Sequence, residues 1–410
     1  MSHKRKQQIL ILFACLAYSF AYTGRYSYNA NITLITDFYG VSNSDAGLIG
    51  TVFFFAYGVG QLAHAFLCKY YPKRYIIPGV LALSASLNLA VFAGAPFAAF
   101  KYLWLANGIC QSVLWPTLIL TMSDSLEPCM MRHATFVMSL TPVIGTVIAY
   151  GGSALFNLFG QFRAAFLLGA CLMLAIGLAW LIFYEKLTPP VGQPTKQTLN
   201  ADEPAKQTKA AARAPIGVIA VCGVLIAVDN FVKDGLNTWT PAILKSRFGL
   251  GDSLSIILTV ALPFCGMFGA MLALRMNRKI KDFRALSGCF LACLCLCIGG
   301  ILLGMQWNSA AVTVLFLGVV SCFAHGINSI MTSIMPFALR DSVNAGLLAG
   351  LLNSAGYIGS TASAYGLGLL ADNGGWNAVM NTLLLVAIGA TVLAWGTVLV
   401  SFRHRRRKSM

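Results

Sequence analysis

Charge is what this chain of 410 residues has least of: Asp, Glu, Lys and Arg together make up 10% of it, and only 13 residues are acidic. Soluble domains carry roughly a quarter charged residues, so an ordinary soluble domain or a disordered chain is excluded. The scarcity of acids and of nucleophile motifs excludes most chemistries as well. No GxxxxGK[ST] loop is present, which argues against ATP-driven pumping by this chain alone, and neither HExxH nor GxSxG occurs. Away from the ends of the apolar runs the only acids are Asp229 and Asp234, so paired acids on facing elements are lacking and no enzyme is expected. The 12 cysteines fall almost entirely in apolar stretches. Their densest group, "CFLACLCLC" from Cys289 to Cys297, has no zinc-like spacing with His and reads as packing, so neither a metal nor a cofactor is implied.

What is there instead is hydrophobic, at 58% of residues, and arranged in long runs. A helix needs about twenty apolar residues to cross about 30 Å of hydrocarbon, and roughly twelve runs of that order can be drawn. They fall near residues 8–35, 44–68, 75–95, 100–121, 134–157, 163–184, 215–244, 253–274, 284–306, 309–332, 343–370 and 375–402. The expectation is an all-α membrane protein of twelve spans. The first run, although preceded by basic residues, is too long for a secretory signal, lacks a small-residue cleavage site and reads as a retained helix.

The net charge of +16 does not point to nucleic acid, because the basic residues sit in alternate loops. With the amino terminus inside, the inner segments are "MSHKRK", "CKYYPKR", 122–133, 186–214, "RMNRKIKDFR", "LRDS" and "RHRRRK". These hold about 23 of the Lys and Arg against about four outside, the asymmetry of the positive-inside rule, which puts both termini in the cytoplasm. A bacterial inner membrane is the expected setting, and the lipid bilayer and a small solute are the expected partners of a monomer.

Residues 187–214, "LTPPVGQPTKQTLNADEPAKQTKAAARA", are rich in Pro, Thr, Gln, Ala and Lys and cannot bury enough surface to fold alone. They divide the chain into six-helix halves, 1–186 and 215–410, joined by a cytoplasmic linker. That is the build of a two-domain alternating-access carrier. If the halves are repeats, the first and seventh runs correspond. Arg25 and Lys233 each lie about seventeen residues beyond the start of their run, hence at similar depth at about 1.5 Å per residue. Each is followed four residues later by asparagine, Asn29 and Asn237, on the same helical face. A charge near the bilayer centre costs roughly 2.5–3.5 kcal/mol and is expected to face water or a partner. One cation from each half suggests an anion held by both. Asp229, one turn before Lys233, and Asp234, immediately after it, offer an internal ion pair as the competing arrangement.

Tyr18 and Tyr22 share the face of Arg25, and "FAHGINSIM" sets His325 and Asn328 about one turn apart, either to contact substrate or to bond a neighbouring helix. "GLLAGLLNSAGYIGSTASAYG" crowds small residues into the eleventh run, with Gly346 and Gly350 at GxxxG spacing for close packing.

These motifs resemble the organophosphate:phosphate antiporter branch of the major facilitator superfamily, over nearly the whole chain. "YSFAYTGR" repeats the family's two tyrosines seven and three residues before its phosphate-binding arginine, implying Tyr18, Tyr22 and Arg25. "AYG" implies Tyr57, Gln111 with Trp115-Pro116 matches a Gln-x3-Trp-Pro element, "GLNTWTP" puts Lys233 where the family has its second arginine, and "GYIG" implies Tyr357. The chain departs from the family where Gln61 replaces a lysine, Pro142 a histidine and His325 a tyrosine, and where the loop signature is reduced to "CKYYPKR". The resemblance implies a secondary transporter of a phosphorylated metabolite in exchange for inorganic phosphate. Proton-coupled symport of a carboxylate or sulfonate, using Asp229, Asp234 or His325, is the alternative, and a transporter-like ligand sensor is a third.

Overall fold

The structure is a computed structural model that describes residues 2–188, 216–339, 343 and 345–408, so the expected linker lies almost wholly outside the described residues. In chain order the helices are α1 (His3–Ala30), α2 (Ile32–Tyr39), α3 (Asn43–Leu67), α4 (Lys73–Phe92), α5 (Phe97–Ser112), α6 (Leu114–Ser125), α7 (Pro128–Ser139), α8 (Thr141–Leu158) and α9 (Ala164–Leu187). The second half supplies α10 (Ile216–Phe248), α11 (Asp252–Thr259), α12 (Ala261–Asn277), α13 (Phe283–Gln306), α14 (Ala310–Ser329), α15 (Met335–Ala338) and α16 (Ala345–Lys408). No strand occurs among the described residues.

Eleven helical stretches among the described residues are long and apolar enough to cross a membrane. The last, Gly346–Phe402, has 57 residues and would measure about 85 Å if straight, nearly three bilayer cores. It is two crossings. Gly375 sits at φ 70° and ψ −179°, a conformation open to a residue without Cβ, and separates two helices at a kink. Twelve spans result, as the hydropathy pattern predicts.

Prolines follow three of the other interruptions, although Pro78 and Pro241 sit inside unbroken helices. A proline removes one N–H and crowds the carbonyl four residues earlier. α5 ends at Ser112, four before Pro116; α11 ends at Thr259, four before Pro263; α7 ends at Ser139, three before Pro142. At Pro336 the same conflict is absorbed by a π turn, Ile330–Ile334, instead of a break.

By internal contacts the chain forms two compact units, residues 1–30 with 59–212 and residues 31–58 with 213–410. The boundary therefore cuts α3 after Gly58. In the first unit, Leu10, Ala14, Ala17 and Ala21 of α1 share one apolar core with Leu81 of α4, Leu118 of α6 and Met173 and Trp180 of α9.

In the second unit, α3 is held at its start by α16. Asp372 accepts hydrogen bonds from the Asn43 and Ser44 amides at 3.1 and 2.8 Å and from Asn43 Nδ2 at 2.8 Å. These are first-turn donors that a helix cannot satisfy itself. Thr51 Oγ1 donates to the Thr361 carbonyl at 2.8 Å and accepts from the Tyr365 amide at 3.0 Å. Nearby, Lys245 Nζ lies 2.6 Å from both Asp37 and Asp252.

Candidate functional site

Arg25 lies in the membrane-spanning part of α1 and is 5% exposed. Positions 18, 22 and 26 recur every four residues and so form one stripe beside it. The guanidinium carbon is 5.2 Å from the Tyr22 ring centre and 5.4 Å from that of Tyr26. Those two rings are stacked, with centres 5.6 Å apart. Tyr18 continues the stripe, 5.1 Å from Tyr22 and 4.9 Å from Trp115 of α6, and Tyr150 of α8 closes the other end, 6.5 Å from Tyr26. A guanidinium against aromatic faces has its charge partly offset by the rings. Asn29 is buried one turn further along α1, and Gln61 of α3 is half-buried in the same unit.

Gln111 is turned into the helix packing. Its Nε2 donates to the Ala21 carbonyl at 3.1 Å, Ser84 Oγ at 3.0 Å and Asn107 Oδ1 at 3.2 Å, linking α1, α4 and α5. Ser84 and Asn107 complete this buried node, 2.6 Å apart.

In the second unit the polar groups gather on α10. Lys233 Nζ donates to Asn230 Oδ1 at 2.8 Å and lies 3.7 Å from Asp234. Asn230 Oδ1 also accepts from Asn328 Nδ2 of α14 at 3.1 Å, and Asp234 accepts from Ser360 Oγ of α16 at 2.5 Å. Asp229 is fully buried, and neither of its carboxyl oxygens has a hydrogen-bond partner. Among the described residues it forms no ion pair, so the helix-internal pair that the sequence allows is made, at long range, by Asp234. Asn237 is half-buried one turn beyond Lys233.

His325 Nδ1 lies 2.9 Å from the Ser321 carbonyl, which can only accept, so that nitrogen carries a proton. Gly266 makes room for the ring: a Cβ there would sit 2.5 Å from Nδ1. Tyr57 and Tyr357, read from separate motifs, do meet in this unit, with ring centres 5.0 Å apart.

The sequence reading missed Asn230, Ser360, Tyr26 and Tyr150. Tyr26 and Asn230 carried a signal, one at the next position of the tyrosine stripe and the other three residues before Lys233. Ser360 and Tyr150 reach their partners through tertiary packing and carried none.

Twelve spans, with Arg25 buried and Lys233 half-buried at span depth, are consistent with the build of a transporter. The Major Facilitator Superfamily model matches residues 14–364, and the chain belongs to that family. It is a multi-pass membrane transporter, not an enzyme. The chain is 25% identical over 305 residues to Protein spinster homolog 1 of Rattus norvegicus, covering 67% of this chain and 55% of that protein. It thus spans about half the length of the curated spinster relatives it matches. Sugar phosphate exchanger 3 of Gallus gallus is 22% identical over 422 residues, covering 89% of this chain and 81% of the relative. Among solved structures, a bacterial homologue of the human lysosomal transporter Spinster, inward-facing and occupied, superposes with TM-score 0.73 at 15% identity and 97% coverage of both chains. A D-xylose–proton symporter superposes with TM-score 0.73 at 12% identity, covering 96% of this chain and 98% of that one. These likenesses show the fold.

Proposed function

We propose that the protein is a secondary carrier of a small organic anion, a phosphorylated metabolite exchanged for inorganic phosphate by alternating access. The observation that carries this reading is Arg25, buried in α1 beside the stacked rings of Tyr22 and Tyr26. A permanently charged fork at span depth is retained where an oxyanion compensates it. Lys233 is the second cation of the proposal, and the likeness to a sugar phosphate exchanger supports its choice of ligand class. Tyr18, Tyr22, Asn29, Tyr57, Gln61, Trp115, Asn237, His325, Asn328 and Tyr357 are the proposed polar and aromatic surroundings of the transported anion, whereas Gln111 is committed to the packing of α1, α4 and α5. The proposal takes 1–186 and 215–410 as the two moving bundles of a monomer in a bacterial inner membrane, with both termini in the cytoplasm.

One observation favours a second reading. Asp229, fully buried with no hydrogen-bond partner, is placed like a proton carrier, which suits symport of a carboxylate or sulfonate with H⁺. A thermal-shift screen of the purified protein against phosphorylated sugars, inorganic phosphate, carboxylates and sulfonates chooses the ligand class, since a ligand of the folded state raises apparent stability. Counterflow in proteoliposomes then separates the mechanisms. Exchange requires substrate on both sides, whereas symport responds to a pH gradient. Stabilisation by carboxylates alone would overturn the organophosphate reading.

A further inference from the structure

Where α1 begins and α9 ends, Lys6, Ile9, Phe13, Phe183, Lys186 and Leu187 line a groove of about 530 Å³. Its floor is apolar. Phe13 and Phe183 meet edge to face with ring centres 6.0 Å apart, and Leu187 is buried beside them. Its rim is cationic, and the Lys186 ammonium stands 5.6 Å over the Phe183 ring.

Single lysines at a helix end commonly stretch toward the lipid headgroups. Here two lysines from different helices flank one apolar slot, unlike two other basic residues at this end of the unit that are held by acids. Lys73 is paired with Asp124 and Arg74 with Glu185. Among the described residues neither Lys6 nor Lys186 forms an ion pair. Two uncompensated ammonium groups above an aromatic and aliphatic floor match a molecule with a negative head and a hydrocarbon tail. Basic pockets between spanning helices are recognised ways of holding acidic phospholipid headgroups.

We propose that this groove binds one anionic phospholipid, its phosphate between Lys6 and Lys186 and an acyl chain against Phe13 and Phe183. The site lies in the first unit alone and is independent of the transported substrate.

The test is native mass spectrometry of the full-length protein with phosphatidylglycerol and phosphatidylcholine at equal mole fraction. Wild type is expected to retain phosphatidylglycerol preferentially. Each lysine near an anionic headgroup is worth about fivefold in binding, so Lys6→Gln with Lys186→Gln should lower retention about twenty-five-fold. Lys6→Arg with Lys186→Arg should preserve it, as should Lys101→Gln, which removes an exposed lysine elsewhere in the unit. Excess inorganic phosphate should leave retention unchanged because the tail contributes. Equal retention of both lipids, equal loss in Lys101→Gln, displacement by phosphate, or a lipid-free dimer would each overturn the proposal.

Discussion

Arg25 differs from a lysine in its plane as much as in its charge. With the guanidinium 5.2 and 5.4 Å from two tyrosine rings, a flat cation is what the stripe on α1 fits. Arg25→Lys keeps the charge and loses the fork, so anion-induced thermal stabilisation should show binding weakened tenfold or more, about 1.4 kcal/mol; unchanged binding would remove Arg25 from the site. Lys233 allows a sharper comparison. Its ammonium is tied to Asn230 and, at 3.7 Å, to Asp234, which keeps its Ser360 hydrogen bond when the lysine is removed. Lys233→Gln is therefore expected to fold and to lose phosphate-dependent stabilisation, and a collapse of expression with the ligand response intact would mark it as structural. Under the second reading, Asp229→Asn should leave exchange in counterflow but abolish accumulation driven by a pH gradient. The sequence placed Arg25 and its tyrosines together because a single helix face does so. It could not choose among Asp229, Asn230 and Asp234 as neighbours of Lys233, since all three are within reach of its flexible stem and the choice depends on Asn328 and Ser360 arriving from other helices. Gln111, read from a motif, has an amide that bonds across three helices, and no spacing along the chain reports that.

At the scale of helices, twelve crossings were legible because hydrocarbon imposes one length on all of them. Interruptions within them were not drawn in advance, although Pro116, Pro142 and Pro263 mark them, because a proline in a membrane helix can end it, kink it or be absorbed by a π turn, as Pro336 is. Least legible was the start of α3, capped by a residue 329 positions away. Asp372→Ala should expose the Asn43 and Ser44 amides, speed their hydrogen exchange and cost about 1 kcal/mol, the usual worth of an N-cap. Protection unchanged at 43 and 44 would show that the cap is dispensable. Close approach sets a second limit. A Cβ at Gly359 would strike the Ala227 backbone of α10 and lie 3.0 Å from the Phe231 amide nitrogen. Gly359→Val is thus expected to lower the melting temperature by an amount matching 1–3 kcal/mol of overpacking, roughly, since backbone cannot step aside.

For the molecule as a whole, the charge asymmetry of the loops makes a topological statement that one cysteine can check. Cys129, beside the start of α7, is exposed, and it lies in one of the segments assigned to the cytoplasm. A membrane-impermeant maleimide should label it in inside-out vesicles and not in intact cells, with Cys129→Ser removing the signal; labelling from the outside would invert the orientation. The Asp372 cap has one more consequence, and it concerns solvent. While α3 and α16 are joined, a carboxylate occupies the place that water would take at the amides of Asn43 and Ser44. Any conformation that parts these helices must wet those groups and so hold more water than the joined one. Solutes excluded from protein surfaces, such as sucrose, then favour the joined, drier conformation.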